Sequence, residues 1–224
     1  MRVAIGFEKR EPVRFVSHLD LQRALQRALR RSGLPLAYSQ GFHPHPLVSL
    51  ASALAVGAES RDEYLEAQLE GELTAEEIRA RLEPALPPGL RLTGVAVMPE
   101  GCRSLMAAVG RVDYAVGFLT GWTQGELEAF LAREEIVVQK RSKKGMRPVD
   151  IRPMIQELQL NGEMLFMRLT HGENWSVRPE LVMDALCAHT GHPAMAWRIC
   201  RLAMYAGREG TTVPLLEAVK EGNL

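Results

Sequence analysis

The sequence predicts an α+β protein built from two tandem ferredoxin-like (βαββαβ) domains. Three observations carry this reading. Apolar residues alternate with period two in several short runs, other runs show the 3.6-residue period of amphipathic helices, and the order of these elements in the first half recurs, less clearly, in the second. The 224 residues are enough for two domains of about a hundred residues each. The expected domains are residues 1–97 and 111–224, joined by a linker over residues 98–110.

In the first half, Val3, Ile5 and Phe7 alternate with Arg2, Ala4 and Gly6 as a strand. Residues 17–32 read as a helix with Leu21, Leu25, Ala28 and Leu29 on one face, stopped by Gly33 and Pro35. Residues 36–42 and 47–50 supply the second strand, interrupted by prolines. In residues 64–69, Leu65, Ala67 and Leu69 face one way as the third strand. Thr74 and Glu77 form a capping-box pattern ahead of a helix with Ile78, Leu82 and Leu86 inward, and residues 90–97 close the half as a strand.

In the second half, Val112, Tyr114, Val116 and Phe118 alternate as a strand, and Thr123 with Glu126 caps a helix whose core face is Leu127, Phe130 and Leu131. A strand at 136–139 follows. Residues 150–160 and 164–170 pair around Asn161-Gly162, a strong turn signal. Pro179 starts a helix through Ala188, and residues 197–205 form the last strand.

The composition is that of a foldable chain, 46% hydrophobic and 24% charged, with 27 basic and 27 acidic residues. Global charge therefore names no partner. Cys102, Cys187 and Cys200 are scattered, which argues for a reducing compartment and gives no C-x-x-C for an iron–sulfur cluster. No cofactor is expected in this chain. The charged N-terminus is unlike a signal peptide and no apolar run reaches the length of a membrane span, so a cytoplasmic location is expected.

Locally the charge is uneven. Arg23, Arg27, Arg30 and Arg31 recur at helical spacing opposite the leucine face, with no acid from Leu21 to Arg31. A charged helix face is usually only solvated surface, but such faces normally mix signs to gain i,i+4 pairs. Arginine's planar fork matches phosphate, so this stripe is a candidate RNA-binding face. A second basic segment contains Lys140, Arg141, Lys143, Lys144 and Arg147, with Asp150 and Arg152 following, and is expected in a turn after a strand. Its plainer reading is a solubilising hairpin, and Asp150 reads as a partner for a nearby arginine. Residues 59–83 are predominantly acidic and suggest an opposite, acidic side open to a protein partner.

The stretch Tyr38-Ser39-Gln40-Gly41-Phe42-His43-Pro44-His45-Pro46 is the most unusual. Each histidine precedes proline and is pushed toward extended backbone, so His43 and His45 project together. With His18 and Asp20 they make a candidate divalent-metal set. The plainer reading is that Ser17 and Asp20 cap a helix while the histidines flank a stiff loop. Tyr38 and Phe42 are candidates for stacking on bases beside the arginines. A histidine here also suits general-base RNA cleavage.

The runs Arg14-Phe15-Val16-Ser17-His18-Leu19-Asp20-Leu21 and Arg30-Arg31-Ser32-Gly33-Leu34-Pro35, then Tyr38 to Pro46, Ala53-Leu54, Gly57 and Glu63-Tyr64, resemble one bacterial family. Lys143-Lys144-Gly145 and Val149-Asp150-Ile151-Arg152-Pro153 extend the likeness. It is the radical SAM-associated family, formerly a domain of unknown function, here in its standalone form. The resemblance implies a radical SAM partner of the cobalamin-binding type and RNA-linked work, on tRNA or rRNA, with no catalytic residue carried over. The element order is also similar to that of RAMP-type CRISPR RNA-processing proteins. Three readings follow: an RNA-binding adapter for a radical SAM enzyme, an RAMP-like endoribonuclease using His18, His43 and His45, and a metal-holding or protein-interaction module. The first leaves this chain without catalysis of its own.

Overall fold

The computed structural model describes residues 1–117, 119–142, 145–172, 176–207 and 212–224. The chain folds as two compact units: residues 1–110 with 201–224, and residues 111–200. Residues 98–110, expected as a linker, belong to the first unit, and the second begins at Arg111. Residues 201–224, expected in the second domain, instead pack with the first unit, for reasons that lie in Glu63 and Asp62 (below).

The first unit opens with β1 (Arg2–Lys9) and α1 (His18–Arg31), then β2 (Val48–Leu50), β3 (Glu59–Gln68), α2 (Ala75–Leu82) and β4 (Leu90–Val97). The strands run in the order β4-β1-β3-β2, every neighbour antiparallel. Alternation puts Val3, Ile5 and Phe7 of β1 and Leu65 and Ala67 of β3 on one face, where they meet Leu21, Leu25, Ala28 and Leu29 of α1 and Ile78 and Leu82 of α2 in one core. Ser17 caps α1, its Oγ accepting from the Asp20 N–H at 3.2 Å. Thr74 and Glu77 form the expected capping box on α2. The second strand is shorter than predicted: residues 36–42 make only isolated bridges, Leu36 to Leu69 and Tyr38 to Pro46. The prolines of this stretch cannot donate to a ladder, which keeps β2 to three residues.

A short α3 (Leu105–Ala108) forms in the segment expected to be linker. After β10 (Arg198–Ala206) come β11 (Val213–Pro214), which pairs with β10, and α6 (Leu215–Lys220), neither of which the periodicity suggested. α6 buries Leu215, Ala218 and Val219. Gly6 and Gly94 face each other across β1 and β4. A Cβ on Gly94 would collide with the Leu216 side chain, and one on Gly6 would lie 2.7 Å from Thr93 Oγ1. The missing side chain at Gly94 admits α6 against the strands.

The second unit contains β5 (Val109–Gly117, its first two residues in the first unit), α4 (Gln124–Leu131), β6 (Val137–Ser142), β7 (Gly145–Asp150), β8 (Ile155–Asn161), β9 (Met164–Thr170) and α5 (Pro179–Thr190). Its sheet runs β5-β9-β8, antiparallel throughout, while β6 and β7 form a separate two-stranded hairpin. The Asn161-Gly162 turn joins β8 and β9, with Gly162 at φ 61°. Buried Val112, Val116, Leu127, Phe130, Leu165, Met167, Val182, Met183 and Leu186 supply the interior. Phe118, read as part of the first strand of this half, lies outside the described residues. Gly191 at φ 80° ends α5 as a left-handed cap.

The α4 capping box has a pH signature. The Thr123 hydroxyl and then the Thr123 N–H hold the Glu126 carboxyl below its usual range. A carboxyl depressed in the folded state stabilises fully above the unfolded-state value and loses that stabilisation as pH falls through the folded-state one. Thr123→Ala should therefore lower the urea midpoint near neutrality and lower it less at about pH 3. Equal losses at both pH values would count against the capping box as the source.

Candidate nucleic-acid interface

On α1 the leucine face is buried and Arg23, Arg27, Arg30 and Arg31 are all exposed, as the helical spacing requires. Their roles differ. Arg23 pairs with Asp20 at 3.1 Å, and Ser17 Oγ donates to the other Asp20 oxygen at 2.8 Å. These contacts hold the Asp20 carboxyl below its usual range, the Ser17 bond foremost. Arg31 donates through Nη2 to the Ala85 carbonyl at 2.6 Å, which ties the end of α1 to the turn after α2. Among the described residues, Arg27 and Arg30 ion-pair with no carboxylate. They are the freest cations of the stripe.

The second basic segment lies on the β6–β7 hairpin. Lys140 and Arg141 stand on β6, and Arg147 on β7, with Lys140 directly opposite Arg147 and Arg141 opposite Met146. Lys143 and Lys144 lie outside the described residues. Lys140 Nζ donates to the Ser176 carbonyl at 2.8 Å. Burial pushes its ammonium down, and the Arg147 and Arg178 charges push further in the same direction. Arg152 is occupied: Nε donates to the Leu131 carbonyl at 2.7 Å and Nη1 to that of Ile155 at 3.3 Å. Asp150, read as an arginine partner, instead accepts from the backbone N–H groups of Ile136 and Arg152 through Oδ1. It fixes the base of the hairpin.

The histidine–proline loop closes on itself. Ser39 Oγ lies 2.8 Å from His45 Nδ1 and accepts from the His45 N–H at 3.1 Å, and the Ser39 N–H donates to the His45 carbonyl. Tyr38 is part-exposed, and Phe42 stands 101% exposed at the tip. The four candidate metal ligands are not gathered: among the described residues no three of His, Cys, Asp or Glu are placed to hold a metal ion. Asp20 is committed to Ser17 and Arg23. His45 lines a shallow cleft of about 280 Å³ with Arg2, Ser49, Glu66 and Gln68, while His43 is exposed.

Sequence reasoning missed a buried charge network in the first unit. Glu63, counted within an acidic side, is 1% exposed, as is Lys9, and Arg201 is 2% exposed. Arg201 Nη1 donates to Glu63 Oε1 at 2.7 Å, and Nη2 reaches the Ala53 carbonyl at 2.8 Å and Ser52 Oγ at 3.3 Å. Lys9 Nζ donates to the carbonyls of Arg14 at 2.7 Å and Ala58 at 3.2 Å. Burial pushes the Glu63 carboxyl up, opposed by the Arg201 guanidinium, and pushes the Lys9 ammonium down, opposed by Glu63. Beside it Asp62 accepts from the Met204 N–H at 2.7 Å, and burial raises its carboxyl too. Glu66 pairs with Arg2 at 2.7 Å. The expected acidic side is thus partly consumed inside the fold. The only sequence signal was Lys9 at the end of an otherwise apolar alternation.

An α+β chain of two compact units, each presenting exposed cations that have no carboxylate partner among the described residues, is the class these features define. The chain belongs to the family described as "Uncharacterized protein conserved in bacteria (DUF2344)", whose model matches residues 2–179. No curated protein matches the sequence. Among solved structures, it is similar in fold to a chain of the crystal structure of a Cbf5-Nop10-Gar1 complex, with 10% identity and a TM-score of 0.50. That match covers 93% of this chain and 50% of the other, so this chain spans about half the neighbour's length. Among the described residues no helix is long and apolar enough to cross a membrane.

The buried pair gives a direct check. Arg201→Met strands Glu63 without its guanidinium and should destabilise the protein by about 3–5 kcal/mol in urea titration. A double-mutant cycle with Glu63→Gln should show a coupling of about 1–3 kcal/mol. Additive losses would mean the two groups do not act together.

Proposed function

We propose that this chain is a non-catalytic RNA-binding adapter, built on two tandem ferredoxin-like domains, that works beside a radical SAM enzyme of the cobalamin-binding type. The carrying observation is the α1 stripe, where Arg27 and Arg30 stand exposed with no carboxylate partner among the described residues. Unpaired arginines on a rigid helix suit phosphate contacts, whose affinity is electrostatic and salt-dependent. The exposed Phe42 and part-exposed Tyr38 supply π faces of the kind that stack on unpaired bases. Arg141 and Arg147 on the hairpin add further phosphate contacts, while Arg31 and Arg152 serve mainly to hold the fold. The strand order β4-β1-β3-β2 supports the ferredoxin-like reading of the first unit. In the second unit, the element order β5-α4-β8-β9-α5, with the β6–β7 hairpin inserted, supports the same reading. The radical SAM partner rests on the family resemblance of the motifs around Ser17 to Pro46.

The test is fluorescence anisotropy of a labelled single-stranded RNA at several salt concentrations. The Arg27→Glu/Arg30→Glu variant should bind at least about tenfold more weakly, and the log–log salt slope should shrink by about 0.7 for each phosphate no longer neutralised. Wild-type binding no tighter than that of a neutral control protein would remove the RNA claim. Affinity capture of the tagged chain from bacteria that carry it should recover a radical SAM protein, and its absence would remove the partner.

A further inference from the structure

We infer that Lys140, Arg147 and Arg178 together form a seat for one phosphate group of a bound polynucleotide. This rests on the RNA reading above, and it adds to it both a ligand chemistry and Arg178, which belongs to neither basic segment.

Lys140 and Arg147 are direct partners across β6 and β7. Like charges in that position repel, so the hairpin holds an arrangement that works against its own pairing. The Lys140 bond to the Ser176 carbonyl then carries the ammonium to the start of α5, two residues before Arg178, the exposed residue flanking that helix. Among the described residues, no carboxylate ion-pairs with any of the three. Asp150, the acid of the same hairpin, is held by the N–H groups of Ile136 and Arg152. The repulsion is felt at Lys140, whose ammonium is pushed down by burial and by both arginines. A bound anion would relieve it. Two guanidinium forks and one ammonium match the several oxygens of a phosphate group better than the two of a carboxylate.

The experiment uses the full chain in phosphate-free buffer with two probes, inorganic phosphate and a short single-stranded RNA. Binding is followed by amide NMR shifts and by anisotropy against sodium chloride at matched ionic strength. Phosphate should shift the amides around residues 140, 147 and 178 in the wild type and not in Arg147→Ala/Arg178→Ala. Arg178→Ala alone should weaken RNA binding about tenfold and reduce the salt slope by about 0.7, with Arg178→Lys retaining most of both. If RNA binding and slope are unchanged in Arg178→Ala, the seat is overturned and the RNA reading stands on α1. If phosphate shifts these amides but no RNA binds, the polynucleotide is overturned and the anion seat remains. Uniform shifts that sodium chloride reproduces overturn the seat outright.

Discussion

The buried Glu63–Arg201 pair governs the first unit. It joins residues far apart in the chain, and around it the middle of β3, the middle of β10, the end of β1 and two loops are fixed together. Lys9 extends the same cluster to the carbonyls of Arg14 and Ala58. The Arg14 carbonyl also accepts from the Gly57 N–H, so the loop leading into α1 is held from two sides. The position of α1, and with it the arginine row, therefore follows from charges that never meet solvent. A cluster of this kind adds little net stability compared with apolar packing, but removing one member leaves the others unbalanced. Its contribution is to specify one arrangement of the loops.

The exposed charges follow a different rule. The chain has no net charge, yet its cations and anions are not mixed evenly. Many acids are turned inward or tied to backbone: Glu63 and Asp62 to Arg201 and Met204, Glu66 to Arg2, Asp150 to two N–H groups, Glu126 to Thr123. Among the described residues, that leaves arginines such as Arg27, Arg30 and Arg147 with no acid to answer them. Exposed arginines without an acid partner thus coexist with a whole-chain charge of zero, which is why that charge says nothing about partners.

The sequence made the regular parts legible because they rest on local rules. The Ser17 cap, the capping boxes at Thr74 and Thr123, the Asn161-Gly162 turn and the inward face of α1 each depend on residues within a few positions. What it did not disclose are pairings across long separations. Nothing near Glu63 marks it as buried, since its partner lies at Arg201. Nothing near residues 215–220 marks them as a helix packed on Gly94, since the sign of it is the missing side chain on another strand. The arginine stripe was legible as exposure but not as partnership. Arg31 and Arg152 turned out to serve backbone carbonyls, whereas Arg178, isolated in the sequence, emerged only beside Lys140.

One consequence concerns synthesis. The first unit is discontinuous: β10 and α6 complete it only after residues 111–200 of the second unit have intervened. While the ribosome is still making the second unit, Glu63 and Asp62 have no guanidinium or amide to receive, and Gly94 has no Leu216 above it. The earlier half therefore lacks these partners while residues 111–200 are made, and its charge cluster and the seat at Gly94 are completed only when residues 201–224 follow.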